Sequence, residues 1–284
     1  MGHHYVPQRY LRNFEDPKRP DYIWMFDKKT GKTHQPAIMN VANEAGFYED
    51  AVEAELAKNV ESPANPVIEK LRTRHSIDTK DRQALSSYIA VMLKRVPFHR
   101  QKGLETFQAV REKTISEVRA RMLAAKDDPS FDQDTLTKRL AELDSLEEKY
   151  KDEVPDNIIE QIRAPWPSQE MIDLIYAMTW RVIETAGPSF FLTSDNPAFF
   201  FGAYGFGSKE SEMTFPLSSQ RALHGCWQGK REQLLFLSGK EALVKELNRR
   251  VTSTTARFAF YHTPEEWIHQ LLRRVDPPLS RIVW

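Results

Sequence analysis

Apolar positions along this chain recur at two different spacings, and the change of spacing divides it into segments. Tyr22-Ile23-Trp24-Met25-Phe26-Asp27 reads as a strand and Lys28–Lys32 as a turn closed by Gly31. Thr33–Ile38 returns as an edge strand, because Pro36 has no donor for a ladder. From Glu49 the spacing becomes helical. Val52, Leu56 and Val60 share a face, and the helix is predicted to stop near Ser62-Pro63. A second helix is expected around Val67–Arg74. A third spans Lys80–Arg95, capped by Asp78 or Thr79 and ended by Pro97. Leu104, Phe107, Ile115, Val118 and Met122 recur at helical spacing before Asp127-Asp128-Pro129-Ser130. Leu136, Leu140, Leu143, Leu146 and Tyr150 resume it afterwards. The stripe is narrow, so residues 104–151 are expected to form a protruding antiparallel helical hairpin inserted into a single domain spanning 1–284.

Past a proline-bearing linker at Asp152–Pro167, one helix is predicted over Ser168–Thr185, stopped by Gly187-Pro188. The pattern then turns to short strands: Phe190–Thr193, Ala198–Phe201, Met213–Leu217, Arg221–His224 and Leu234–Ser238. A helix over Lys240–Val251, a strand at Phe258–Tyr261 and a helix over Pro264–Val275 precede a proline-rich tail. This order predicts an α+β fold. Its helical core would carry a mixed, mainly antiparallel sheet shared by the N-terminal hairpin region and the C-terminal strands. Gly202–Gly207 (GAYGFG) is neither G-x-G-x-x-G nor followed by a helix, which argues against a dinucleotide or P-loop fold.

Composition narrows the function classes. Forty basic residues balance forty acidic ones, so no global field draws the protein to nucleic acid or an anionic membrane. The single cysteine, Cys226, rules out an internal disulfide and any multi-cysteine metal cluster, and fits a reducing cytoplasm. No secretory leader pattern and no run of eighteen apolar residues is present. The expectation is a soluble cytoplasmic protein with no membrane partner. No H-E-x-x-H and no G-x-S-x-G occurs.

The densest chemistry lies in the first fourteen residues, MGHHYVPQRYLRNF. His3 and His4 are candidates for general base, general acid or metal ligand. Adjacent residues of an extended segment point to opposite sides, so the two are expected to do different jobs. Asp195-Asn196-Pro197 ends a short strand. Asp195 reads either as a displayed catalytic carboxylate or as an Asx turn, and Asn196 as a substrate contact. Glu61, at a proline break, is a candidate inward-facing acid. Arg9, Arg12 and Arg95 are candidate phosphate binders. Residues 69–102 hold nine basic side chains against three acids, a local excess of six. A phosphate-bearing ligand could be steered there.

The opening HHYVPQRYLRNF is followed by Glu55 and Glu61 on a helix, Arg95-Val96-Pro97, LTSDNP at 192–197, Phe215-Pro216-Leu217-Ser218 and Leu247-Asn248. Together these motifs resemble the domain-of-unknown-function family 4238. The resemblance covers most of the chain and implies one fold assembled from these distant motifs; it brings no established reaction. The histidine-then-hairpin order is also similar in outline to His-plus-metal finger nucleases, which would place Asn43 or Glu44 as a metal ligand. The expected function is hydrolysis of a phosphate-containing substrate, with nucleic acid as the first choice of partner. In it His3 or His4 works with Asp195 and Glu61, a divalent metal ion is the candidate cofactor, and arginines bind phosphate. The alternative is a non-catalytic binding module. There the same residues form a structural polar network, and the 104–151 hairpin contacts a protein partner.

Overall fold

The structure is a computed structural model that describes residues 2–128, 130–151, 153–201, 205, 207–230, 233–273 and 282. The chain divides into two compact units, residues 1–98 with 165–284, and residues 99–164.

In chain order, β1 (Gly2–His4) leads through Pro7 into α1 (Gln8–Leu11), which tightens into a 3₁₀ turn at Arg12–Phe14. Pro7, with φ preset and no donor to lose, starts that short helix, and Tyr10, Leu11 and Phe14 are buried by it. The hairpin β2 (Trp24–Asp27) and β3 (Lys32–His34) turns at Gly31, whose φ of +68° suits a residue without Cβ. Then come β4 (Asn43–Ala45), α2 (Asp50–Glu55), α3 (Ser62–Arg72) and α4 (Thr79–Lys94). Asp78 caps α4 in a reciprocal box with Asp81. α5 (Pro97–Ala124) carries the chain into the second unit, where α6 (Gln133–Lys149) and α7 (Asp156–Arg163) follow. The chain returns through α8 (Gln169–Ala177), β5 (Thr179–Thr185), β6 (Thr193–Ser194), β7 (Phe199–Phe201), β8 (Glu212–Ser218), β9 (Arg221–Cys226) and β10 (Leu235–Gly239). α9 (Glu241–Ser253), β11 (Phe258–Tyr261) and α10 (Glu266–Arg273) complete the described elements.

The fold is α+β, with the strands in three sheets rather than one. β1 and β4 pair antiparallel; β3-β2-β11-β6 form a second sheet; β10-β5-β9-β8-β7 form a third, parallel only between β10 and β5. The N-terminal hairpin does meet C-terminal strands, through β2 on β11. Trp180, Val182, Met213, Phe215 and Leu223 face the helical layer in the largest core cluster. Ile183 and Ala222 face α9, packing on Val244 and Leu247.

Four expectations change. The helix from Glu49 does not stop at Ser62-Pro63. It runs through residues 56–61 as a π turn directly into α3. Pro63 lacks a donor and its ring crowds the carbonyl four residues back, and widening the turn relieves that clash; Ser62 Oγ reaches back to the Ala57 carbonyl at 2.8 Å. The helix over 168–185 ends at Ala177. Thr179–Thr185 is an interior strand buried on both faces over Thr179–Ile183, and its Thr179 and Trp180 continue the helical spacing of Ile172, Ile175 and Tyr176. The linker contains α7, bracketed by Pro155 and Pro165. Phe190–Leu192 pairs with no strand. The Leu192 N–H donates to Asn248 Oδ1 (3.0 Å) and Asn248 Nδ2 donates to the Phe190 carbonyl (2.7 Å). Residues 274–275, the proline-rich tail, and 202–204 and 206 of GAYGFG lie outside the described residues.

Asn248 is fully buried, so Asn248→Ala strands both backbone groups away from water. Urea unfolding should show a loss of about 2–4 kcal/mol at unchanged m-value, since each orphaned group costs about 1–3 kcal/mol.

Candidate functional site

β1 is held to β4 in the register His3↔Glu44 and His4↔Asn43. The two histidines point to opposite sides and have different environments. His3 is buried: its Nδ1 accepts from the Tyr48 amide at 3.2 Å and its Nε2 donates to Asp50 Oδ1 at 2.8 Å. His4 is half-buried. Its Nε2 lies 3.2 Å from the Met39 carbonyl and 3.5 Å from Asn43 Nδ2, which itself donates to that carbonyl at 2.9 Å. A carbonyl only accepts, so Nε2 carries the proton and Nδ1 carries the lone pair. That Nδ1 makes no hydrogen bond among the described residues. Burial holds the ring below the ordinary histidine value of 6.5; the Met39 carbonyl opposes this shift and the Arg95 charge reinforces it. His4 is therefore a neutral imidazole of fixed tautomer.

Arg95 follows the last residue of α4 and is 1% exposed. Its Nη1 donates to Glu61 Oε1 at 2.6 Å, its Nη2 donates to the His4 carbonyl, and Glu53 Oε2 lies 3.8 Å from Nη2. Tyr48 completes the group, its O–H donating to the Arg95 carbonyl at 2.6 Å and its ring centred 5.9 Å from the guanidinium. One cation thus ties β1 to α4 and to the π-turned helix. The wider turn between Glu53 and Glu61 lets both acids reach the same guanidinium. Burial raises the Glu53 carboxyl above its ordinary 4.5; Arg95 counteracts this and Glu61 adds to it.

The other expected members stand apart from this group. Asp195 is 1% exposed and accepts three consecutive backbone amides: Ala256 at 2.9 Å, Arg257 at 2.6 Å and Phe258 at 2.7 Å. Burial raises its carboxyl to about 6, with the amides opposing. Ser194 Oγ bonds both ways to the Asn196 backbone, and Asn196 Nδ2 donates to the Thr254 carbonyl at 3.1 Å. SDNP is a turn that fastens the α9–β11 connection, and no hydrogen bond links Asp195 or Asn196 to His4, Glu61 or Arg95. Arg12 donates to Asp21 at 3.0 Å on the surface. Arg9 is exposed and forms no ion pair among the described residues. The structure therefore joins His4, Glu61 and Arg95, with His3 on the opposite side of β1, and leaves Asp195, Asn196, Arg9 and Arg12 outside.

Sequence reasoning missed Glu53, because only the π turn aligns it with Glu61. It also missed a buried polar row on the α9 side of the five-stranded sheet. Register sets Arg181, His224 and Thr214 side by side, with Glu212 and Cys226 next along their strands. Arg250 Nη2 lies 2.7 Å from Glu212 Oε2, His224 Nε2 lies 3.2 Å from it, and Arg181 Nη1 donates to Cys226 Sγ at 2.7 Å. Burial lowers the His224 pKa. At Glu212 burial acts upward, but His224 and Arg250 outweigh it and the carboxyl stays ionised. The available signal was the recurrence of polar residues at alternate positions of strands that end up buried: Glu212 and Thr214, His224 and Cys226.

Among the described residues no group of three or more His, Cys, Asp or Glu side chains is placed to hold a metal ion. The model of a family described as a protein of unknown function (DUF4238) matches residues 2–265. No curated protein and no solved structure matches the chain.

Proposed function

The chain belongs to this family of proteins of unknown function, DUF4238, and from that premise we propose that it is a hydrolase of a phosphate-containing substrate, with nucleic acid the first class to test and His4 the general base. The observation that carries this reading is the His4 ring, neutral at physiological pH and oriented by the Met39 carbonyl, with Nδ1 as its unengaged lone pair. In the proposed step Nδ1 takes a proton from water as the water oxygen bonds to phosphorus. The bond to the leaving oxygen breaks, and that oxygen takes a proton from Glu53, the acid whose affinity for a proton burial has raised. Arg95 acts by position, fixing β1 against both acids, and Arg9, exposed and without an ion pair among the described residues, is the candidate phosphate contact. Asp195 has no part in this reading.

The test is cleavage of RNA and DNA by purified protein, with and without divalent cations, compared with His4→Ala and Glu53→Gln. His4→Ala should lose about 10²–10⁴-fold in rate. The sign of the pH dependence follows from the two shifts. Activity should rise with pH through a histidine value below 6.5 and fall as Glu53 ionises above 4.5, giving a bell displaced to the acid side of neutrality. A folded parent that cleaves neither substrate rejects the proposal.

A second reading has its own observation. Arg95 is enclosed and engaged by His4, Glu61 and Glu53, as expected of a structural polar network that locks the N-terminal strand. Under this reading His4→Ala changes neither cleavage nor stability, while Arg95 substitutions unfold the protein.

A further inference from the structure

The unit formed by residues 99–164 has helices without a core of its own. None of α5, α6 and α7 holds a buried residue. Phe107, Ile115 and Val118 on α5 and Leu136, Leu140 and Leu143 on α6 form the apolar seam at helical spacing, and all six are only half-buried. α5 and α6 run antiparallel, because Arg119 reaches Asp144 and Glu147 while Arg111, two turns earlier, reaches the Tyr150 carbonyl. Two helices alone cannot enclose the seam between them, and bundles close it with further helices.

One side of the pair adds exposed apolar residues to the open seam. At 3.6 residues per turn, Val110 on α5 and Leu146 on α6 each lie about a quarter turn from their seam, in the same sense. In an antiparallel pair equal offsets of one sense fall on one side. Val110 is 58% exposed and Leu146 51%. Leu123, 50% exposed, falls on the opposite side.

Charge selects what covers that side. Residues 99–124 hold six basic side chains against three acidic ones, whereas residues 125–164 hold six basic against twelve acidic. The acidic total disfavours nucleic acid or an anionic membrane as the occupant. A basic limb beside an acidic limb is instead complementary to a copy of itself. A two-fold axis along the helices sets each α5 between its own α6 and the α6 of the other copy, with all neighbours antiparallel. The size suffices as well. α6 has 17 residues. At about 25 Å long, a face two helices wide covers roughly 550 Å² per copy, or about 1,100 Å² in total, against the ~1,000 Å² that a specific interface needs.

We propose that two copies of this chain associate through the side of the α5–α6 hairpin marked by Val110 and Leu146, closing a four-helix bundle. The surface uses none of the residues assigned to hydrolysis, so it stands whether or not His4 is a base.

Sedimentation equilibrium of the full chain tests it. The parent should show twice the 33.0 kDa of a single chain. Val110→Glu and Leu146→Glu should each weaken the dimer by about tenfold or more, because each sets an unpaired carboxylate in the contact. Both positions are exposed in the single chain, so circular dichroism should show an unchanged fold. Leu123→Glu, on the other side, should leave association as it is. A parent that remains a monomer up to about 100 µM overturns the proposal. So does a dimer that neither Val110→Glu nor Leu146→Glu weakens, or one that Leu123→Glu weakens equally.

Discussion

Arg95→Met should be among the most damaging single substitutions in this protein, lowering stability by about 3–5 kcal/mol, because it leaves two buried or half-buried carboxylates facing each other without their cation. The His4 carbonyl loses its donor in the same change. Against a typical total of about 5–15 kcal/mol, that loss brings the protein close to unfolding at physiological temperature. Arg95→Lys should not rescue it, since one ammonium cannot reach Glu61, Glu53 and a carbonyl with the spread of a guanidinium. The informative control is a triple change, Arg95→Met with Glu53→Leu and Glu61→Leu. Replacing a whole buried ion group by apolar side chains is often neutral, so urea unfolding of the triple variant should recover most of the loss. If the single and triple variants are equally unstable, Arg95 acts through its carbonyl bond and packing, not through the acids. The same triple variant separates the two functional readings. A restored fold with full cleavage removes Glu53 from the chemistry.

How much of this was legible in the sequence depends on the range over which each feature is encoded. The N-terminal site was half visible. His4, Glu61 and Arg95 were chosen from local signals: adjacent imidazoles, a proline beside Glu61 and a helix end at Pro97. Glu53 was not, because a period of 3.6 puts it on a different face from Glu61, and only the π turn forced at Pro63 brings the two together. The helix α9 was readable because it has one buried face and one wet one, and α4 because Asp78 caps its start and Pro97 marks its end, although residues 88–92 are buried all round. β5 was read as helix. Its Thr179-Trp180-Arg181-Val182 stretch alternates for only four residues, and Thr179 and Trp180 also continue the helical spacing of Ile172, Ile175 and Tyr176, so one helix absorbed it. The Glu212–His224–Arg250 group lies on strands and a helix whose adjacency is set by sheet register, which no local pattern reports. Asp195 was found by its motif, while its partners were not. Its three amide donors come from the α9–β11 connection some sixty residues later.

That pairing makes Asp195 the second large effect. Asp195→Ala leaves the amides of Ala256, Arg257 and Phe258 without an acceptor at a site 1% exposed. Even allowing for partial compensation, three orphaned donors should cost at least about 3 kcal/mol, or roughly 6–12 °C in thermal midpoint. Asp195→Asn should be nearly as harmful. One oxygen survives for one side of the loop, but the new Nδ2 hydrogens confront amide N–H groups that can only donate. The pH dependence distinguishes a buried, burdened carboxylate from a simple turn residue. Burial raises the folded-state value of Asp195 to about 6, above its ordinary 3.8. Between those two values the folded protein retains a proton that the unfolded chain has released. The Asp195 contribution to stability therefore falls as pH rises from about 4 to 6, and is level above that. Asp27 works in the other direction and in another window. Its bond to Arg257 holds it at about 2, so its contribution is complete above 3.8 and is lost as pH falls toward 2. Chemical unfolding at a series of pH values from 3.5 to 7 should show a downward slope in the parent between about 4 and 6. That slope should be reduced in Asp195→Asn, which has no proton to exchange. An identical slope in both proteins would mean that the three amides, not burial, set the ionisation of Asp195, and that the carboxylate is charged throughout.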